Sequence, residues 1–406
     1  MSRRVGRATA LGLVAVAASA LVFWWSDANF DAGRADFFYL AEAFLHGRTW
    51  LDFRPGPFDV IQVGDRYFVP FAPFPAIAFM PLVALIGART ADVLESGIDA
   101  ALAAAAVGLG WVLLGRIGVH RLAARLWLVV FLGLSTPVWW ITIRGGVWHT
   151  GQLIATLLTL GCLIELWGRR RAVVIGLFAG AAFLTRAPLA FALPFYLVML
   201  GPSIDERVAS ASSAWRSIAD RQSIRTWLFL GLALLPSVGF FLWYNAARFG
   251  SPLESGYALA ALPDWLEAQR RAGLFSVAHV PMNVDYLFLH TPIRVPDAPF
   301  FKPDGLGLSV FLTSPALLLA AFADWRAPRS WLLLSAAVAV LIPTLLYYGG
   351  GWLQYGYRYF LDSIPFLFAL MAMAVARSGR LSWRWRALIA FGVFVNLGGV
   401  YWSDKF

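Results

Sequence analysis

Cysteine is almost missing from this chain of 406 residues: Cys162 stands alone, so no disulfide can form within the chain and a disulfide scaffold is excluded. Charge is scarce too, at 14% of residues against 60% hydrophobic. A soluble chain of this length could not bury so much apolar surface, and so little charge also excludes disorder and a coiled coil. There is no Walker loop, no GxGxxG after a strand, no HExxH and no paired CxxC, which removes nucleotide-driven and zinc chemistry. His46, His120, His149, His279 and His290 show no metal-ligand spacing. No metal or cofactor is indicated, although the acidic first loop described below could hold a divalent ion. Neither a solenoid repeat nor a low-complexity tract occurs.

What the chain has instead is long apolar runs. Mean hydropathy is +0.68, and several runs reach the about 18 residues needed to cross a hydrocarbon layer of about 30 Å. The sequence therefore predicts an all-α polytopic membrane protein, a single transmembrane domain over residues 1–406. Eleven crossings are predicted, at 8–25, 98–115, 125–142, 150–167, 172–186, 188–201, 226–246, 307–323, 331–348, 359–376 and 387–402. Cys162 falls within one of them, as a small packing residue.

A net charge of +10 and a pI near 10.1 would suggest nucleic acid if the basic residues shared a face. They alternate between loops instead. Arg3, Arg4 and Arg7, then Arg116, Arg121 and Arg125, Arg169 to Arg171, Arg207, Arg216, Arg221 and Arg225, Arg326 and Arg329, and Arg377, Arg380, Arg384 and Arg386 fall on one side. The same loops hold only Asp205, Glu206, Asp220 and Asp324 as acids. By the positive-inside rule this side is cytoplasmic, so the N-terminus lies inside and the C-terminus outside a cell (inner) membrane, and no nucleic-acid partner is expected. Trp24, Trp25, Trp139, Trp140, Trp167, Trp227, Trp243, Trp331 and Trp402 fall at predicted span ends, as in interfacial belts. The N-terminal run reads as an anchor, because no small-residue cleavage site follows Trp24 and Trp25. Residues 72–89 are apolar enough to cross as well, but one more span would turn every later arginine cluster outward. Pro73, Pro75 and Pro81 also interrupt the ladder there, which predicts a re-entrant or surface-lying segment on the outer face.

Two long loops, 26–97 and 247–306, share the outer side, and their aromatic and aliphatic residues recur at helical spacing, predicting short amphipathic helices. The first loop is acidic, with Asp27, Asp31 and Asp36. Asp36, Tyr39 and Glu42 fall on one helical face. Asp36 suits a general base at the bilayer surface, and by residue type it equally suits a helix cap. Arg144, Arg186, Arg248 and Arg358 depart from the topology rule by standing at outer span ends. Singly such residues snorkel or pair with carboxylates; together their guanidinium forks suit a lipid phosphate. His149 reads as a hydrogen-bonded interfacial residue, Arg358 and Asp362 as an i,i+4 pair, and Glu165 as a partner of Arg169 to Arg171. Glu254, Gly256 and Tyr257 suit sugar hydroxyls or loop packing, and Gly349 to Gly351 with Trp352 and Tyr355 suit a close backbone turn.

Five stretches carry a resemblance: Asp36-Phe37-Phe38-Tyr39-Leu40-Ala41-Glu42, Gly64 to Pro73, Leu184-Thr185-Arg186-Ala187-Pro188, Asn245 to Tyr257, and Gly349-Gly350-Gly351-Trp352 running into Tyr357-Arg358-Tyr359-Phe360. The pattern resembles the GT-C superfamily of integral-membrane glycosyltransferases, in particular bacterial members related to the family 39 mannosyltransferases. Members of this branch carry large outer loops after the first and seventh spans, where the charge argument also puts them. The resemblance implies a sugar donor on a polyprenyl phosphate, transfer on the outer face to a lipid, glycan or protein acceptor, and an acid of the first loop as base, a role that falls by position on Asp36. Phe37 replaces the second acid of the protein mannosyltransferases' Asp-Glu pair, which weakens the case for a protein acceptor. A transporter or flippase of a lipid-linked or small anionic substrate is the rival reading, and a non-catalytic envelope assembly subunit is another.

Overall fold

The structure, a computed structural model, describes residues 2–26, 36–54, 60–201, 221–260, 262–297, 300–351 and 353–403, with side chains from residue 6 onward. Asp27, Asp31, Asp205, Glu206, Arg207, Arg216, Asp220, Trp352 and the side chains of Arg3 and Arg4 lie outside the described residues.

The chain is mostly helical, at 71%. Its first half runs α1 (Ser2–Ser26), α2 (Asp36–Leu45), an antiparallel ribbon of β1 (Ile61–Val63) and β2 (Arg66–Phe68), α3 (Phe74–Ile86), α4 (Ala88–Val93), α5 (Glu95–Ile117), α6 (Leu122–Leu134), α7 (Val138–Arg144), α8 (Val147–Leu166) and α9 (Ala172–Phe183). A 3-10 run, Ala187–Ala192, then leads into α10 (Leu193–Leu200) and α11 (Arg221–Phe249). The second long loop holds α12 (Asp264–Arg270), α13 (Val280–Val284) and a two-residue pairing of β3 (Ile293–Arg294) with β4 (Phe301–Lys302). The chain closes with α14 (Val310–Thr313), a 3-10 run Pro315–Phe322, α15 (Pro328–Leu345), a 3-10 run Arg358–Asp362, α16 (Ile364–Ser378) and α17 (Trp383–Trp402).

Where eleven crossings are predicted, the described residues contain six helices long and apolar enough to cross a membrane, which supports a helical membrane protein; joining α6 and α7 makes seven. The six are α1, α5, α8, α11, α15 and α17, and each coincides with a predicted span. Proline accounts for much of the difference. The predicted span 125–142 bends by 46° between α6 and α7, at Ser135-Thr136-Pro137. Pro188, Pro315 and Pro365 stand at breaks in three further predicted spans, where 3-10 backbone replaces part of the helix. Segment 72–89 yields α3, thirteen residues with Pro81 inside. At 1.5 Å per residue it is about 20 Å long, too short alone for the hydrocarbon layer.

Burial sorts the helices into layers. α8 is 72% buried within the protein and α5 56%, whereas α1, α11 and α17 are 17%, 11% and 22% buried. Phe366, Phe368 and Met371 of α16 fill the space beside α5 and α8. α11 is held to α9 by small residues. A Cβ on Gly176 would meet Ala233 Cβ at 2.6 Å, and one on Gly180 would meet Ser237 Cβ at 2.9 Å, so glycine permits the close approach that replaces the hydrophobic effect in lipid. Hydroxyls inside α8 turn back on their own helix: Thr156 bonds Gln152 O at 2.9 Å and Thr159 bonds Ala155 O at 2.9 Å. Cys162 is buried, as expected of a packing residue. Trp24, Trp25, Trp243 and Trp331 are exposed as a belt requires, but Trp139 and Trp140 are core residues, because α7 turns inward after the bend.

Candidate functional site

Two glycines shape the site. Gly145 at φ 53° and Gly146 at φ 82° reverse the chain between α7 and α8 with backbone angles that a side chain disfavours. A Cβ on Gly145 would also lie 3.4 Å from Glu95 Oε2 and 3.6 Å from Asp99 Oδ2. The opening turns of α5 thus press two carboxyl groups against the N-terminus of α8, where backbone N–H groups favour negative charge. Glu95 accepts a hydrogen bond from the Gly146 N–H, and Thr150 Oγ1 donates to Asp99 Oδ2 at 2.9 Å.

The segment that follows α1 adds its acid to this wall. Asp36 is the first residue of α2, is buried, and lies within electrostatic reach of Glu95, as does Asp92. Tyr39 OH donates to Asp92 Oδ2 at 2.8 Å. Burial first, and this bond second, push the Tyr39 phenol up to about 12. Glu42 is half-buried beside Tyr39. His149 is hydrogen-bonded, Nδ1 to Gly145 O at 2.6 Å, with Trp140 and Trp148 edge-on at 5.3 and 6.3 Å.

The other face of the first turn of α8 carries the cations. Trp148 and Gln152, one turn apart, both meet Arg358: its Nη1 donates to Trp148 O at 3.4 Å, and Gln152 Nε2 donates to Arg358 O at 3.0 Å. The guanidinium groups of Arg358 and Arg186 lie 5.1 and 5.4 Å from the centre of the Tyr359 ring. Arg186 Nε donates to both oxygens of Asp362, at 2.7 and 2.8 Å, and its Nη groups make no hydrogen bond among the described residues. Asp362 therefore pairs with Arg186 and not with Arg358. The predicted i,i+4 pairing fails because 358–362 is a 3-10 helix, where residues three apart, not four, align.

Aromatic rings join the two halves. Phe37, next to Asp36, lies 6.5 Å from Phe71; Phe71 lies 6.4 Å from Tyr257; Tyr257 lies 6.3 Å from Tyr347; Tyr347 lies 6.2 Å from Tyr359. Tyr257 is also within electrostatic reach of Arg186 and Arg248. Arg248 itself is a clamp, donating to Val69 O and Asn245 Oδ1 at 2.8 Å each while stacking 3.8 Å from the Tyr244 ring centre. Arg144 reaches the end of the last helix, donating to Ser403 O at 2.6 Å. Glu254 Oε1 accepts the Gly256 N–H at 2.6 Å, which makes that pair a local turn.

The structure thus brings Asp36 and Tyr39 to the carboxyl groups of Glu95 and Asp92, holds His149 on Gly145 O, brings Arg186 and Arg358 to Tyr359 with Tyr257 in electrostatic reach of Arg186, and directs Arg144 elsewhere. Sequence reasoning missed Asp92, Glu95 and Asp99. Their spacing of three and then four residues was the available signal, since it marks one helix face at the start of a predicted span. Among the described residues no group of three or more His, Cys, Asp or Glu is arranged to hold a metal ion. No family model, curated protein or solved structure matches the chain.

Proposed function

We propose that the protein is a membrane glycosyltransferase that moves a sugar from a polyprenyl-phosphate donor to a hydroxyl acceptor on the outer face of the membrane. One observation carries the reading: a buried first-loop carboxylate, Asp36, is linked by neighbouring aromatic rings to two guanidinium groups that both approach the Tyr359 ring. The acceptor O–H gives its proton to the Asp36 carboxylate as its oxygen bonds the anomeric carbon. The bond from that carbon to the phosphate oxygen breaks in the same step, and the configuration inverts. Arg186 and Arg358 stabilise the negative charge that appears on the departing lipid phosphate. Tyr257 and the neighbouring aromatic faces suit a sugar ring, whose C–H surface packs on them while its hydroxyls bond at the edges.

Asp36→Asn keeps the shape and removes the base, so transfer should fall by about 100- to 10,000-fold. Equal protein levels with unchanged glycan product would defeat this reading. Mass spectrometry of envelope glycans and polyprenyl-linked sugars in a deletion strain names the substrate, because the unused donor accumulates.

The interrupted helices favour a second reading. The α6–α7 bend and the 3-10 runs at 187–192, 315–322 and 358–362 are the discontinuities expected around a transported solute. Uptake of a lipid-linked or anionic solute into proteoliposomes, without sugar transfer, would select transport.

A further inference from the structure

His290 ends a π-type turn, Asp285–Leu289, in the second long loop. Both of its ring nitrogens meet carboxylates: Nδ1 lies 3.0 Å from Asp285 Oδ2, and Nε2 lies 2.8 Å from Asp304 Oδ2. An ionised carboxylate only accepts, so both contacts are hydrogen bonds only if both nitrogens carry protons, which is the imidazolium form. Losing one proton turns one contact into a repulsion between two acceptors. The titratable groups that act on the ring are Asp304, Asp285 and, edge-on at 5.4 Å, Tyr286. Burial works against the charge, but the two carboxylates outweigh it and raise the titration above the ordinary 6.5.

The clasp is wired to the candidate site. Asp304 Oδ1 accepts the Leu306 N–H at 2.9 Å, and His290 O accepts the Ser309 N–H at 2.9 Å, so both ends of the clasp hold segment 304–309. That segment grips Gln354, which is fully buried: Gly305 O accepts the Gln354 N–H at 2.9 Å and Leu306 O accepts from Gln354 Nε2 at 2.7 Å. Gln354 Oε1 in turn accepts the Arg358 N–H at 2.9 Å. An unbroken series of hydrogen bonds therefore runs from the imidazole to the backbone of Arg358.

We propose that Asp285, His290 and Asp304 form a proton-operated clasp in which imidazolium fastens segment 304–309 to Gln354, so that His290 is a positioning residue for Arg358. What Arg358 then does rests on the transfer reading above; the clasp itself does not.

The test is hydrogen exchange on the full chain in lipid nanodiscs at pH 6 and pH 8.5, corrected for intrinsic rates, read in peptides covering 303–309 and 354–358. Protection should drop about tenfold at the higher pH, the value of one bond to a charged group. His290→Gln, neutral throughout, should show the lower protection at both pH values. Histidine-labelled NMR should give a His290 midpoint above 6.5, lowered in Asp304→Asn. Equal protection at both pH values, an unaltered pH response in His290→Gln, or a His290 midpoint at or below 6.5 would each overturn the clasp. Should the variants fail to fold, the wild-type titration and exchange decide alone. A working clasp in a protein without transfer activity would remove the enzyme reading and leave the clasp standing.

Discussion

Arg186 and Asp362 allow structural and chemical roles to be separated by energy. Their side chains are 15% and 1% exposed, and they are joined through Nε at 2.7 Å. Removing one partner of such a pair strands a buried charge and costs about 3–5 kcal/mol, whereas replacing both with apolar groups of similar size is close to neutral. Asp362→Leu and Arg186→Met should each lower stability by that amount, while the double replacement Arg186→Met with Asp362→Leu should be more stable than either single variant. Unfolding in detergent, followed by heat or denaturant, measures all four corners of the cycle. If the single losses simply add in the double variant, the pair is not coupled and the electrostatic account of this corner is wrong. Under the proposed transfer reading, product formation supplies a second readout. With the double variant folded, restored stability but absent product would assign Arg186 to the donor phosphate, while full product would leave it purely structural.

Packing and titration give three further expectations. Gly180→Leu drives a side chain into Ser237 of α11 and should cost about 1–3 kcal/mol, while Gly239→Ala, with open space around its Cβ position, should be neutral or stabilising; unfolding midpoints compare them. Tyr39→Phe deletes the donor to Asp92 and should cost about 1 kcal/mol in the same assay. In the wild type that bond's contribution should be complete below the ordinary phenol range near 10 and disappear as pH rises through about 12, followed by tyrosinate absorbance. His290 is likewise raised when folded, so its clasp should contribute fully below about 6.5 and be lost as pH climbs through the folded value. Unfolding midpoints across pH 6 to 9 should show that decline in the wild type and lack it in His290→Gln.

The long helices were legible because an apolar run without a break has one solution in lipid, and α1, α5, α8, α11, α15 and α17 appear where hydropathy puts them. The breaks were harder. Pro188 and Pro365 lie within runs as hydrophobic as their neighbours, and a sliding average of hydropathy does not register one missing N–H. Glu165 was legible as a partner of the following arginines, and Arg171 indeed donates to both of its oxygens at 2.9 Å, because that contact is local. Asp362 was not, since its partner Arg186 is 176 residues away. The same distinction runs through the site: the shared face of Asp36 and Tyr39 followed from helical spacing, while Asp92, Glu95 and Asp99 needed the fold to bring α4 and α5 to α2.

The separation of charge around α8 bears on how a donor would sit. Thr150, which bonds Asp99, projects from the face opposite Trp148 and Gln152, which meet Arg358, so one helical turn divides an acidic wall from a cationic one. Neutralising the two directly would favour stability, but an arginine paired with the base would lower its proton affinity and would be lost to a phosphate. Under the transfer reading this division orients the donor: its anionic phosphate is repelled at the Asp36 end and attracted at the Tyr359 end, while the acceptor hydroxyl meets the carboxylate. Neutralising one pole should then affect binding more than folding. Arg358→Gln keeps the backbone bond to Gln354, because that bond uses the main-chain N–H, and removes the cation together with its long Nη1 bond to Trp148 O at 3.4 Å. The expected result is a raised KM for the lipid-linked sugar with thermal stability near that of the wild type; an unchanged KM would place the phosphate elsewhere and end this orientation argument.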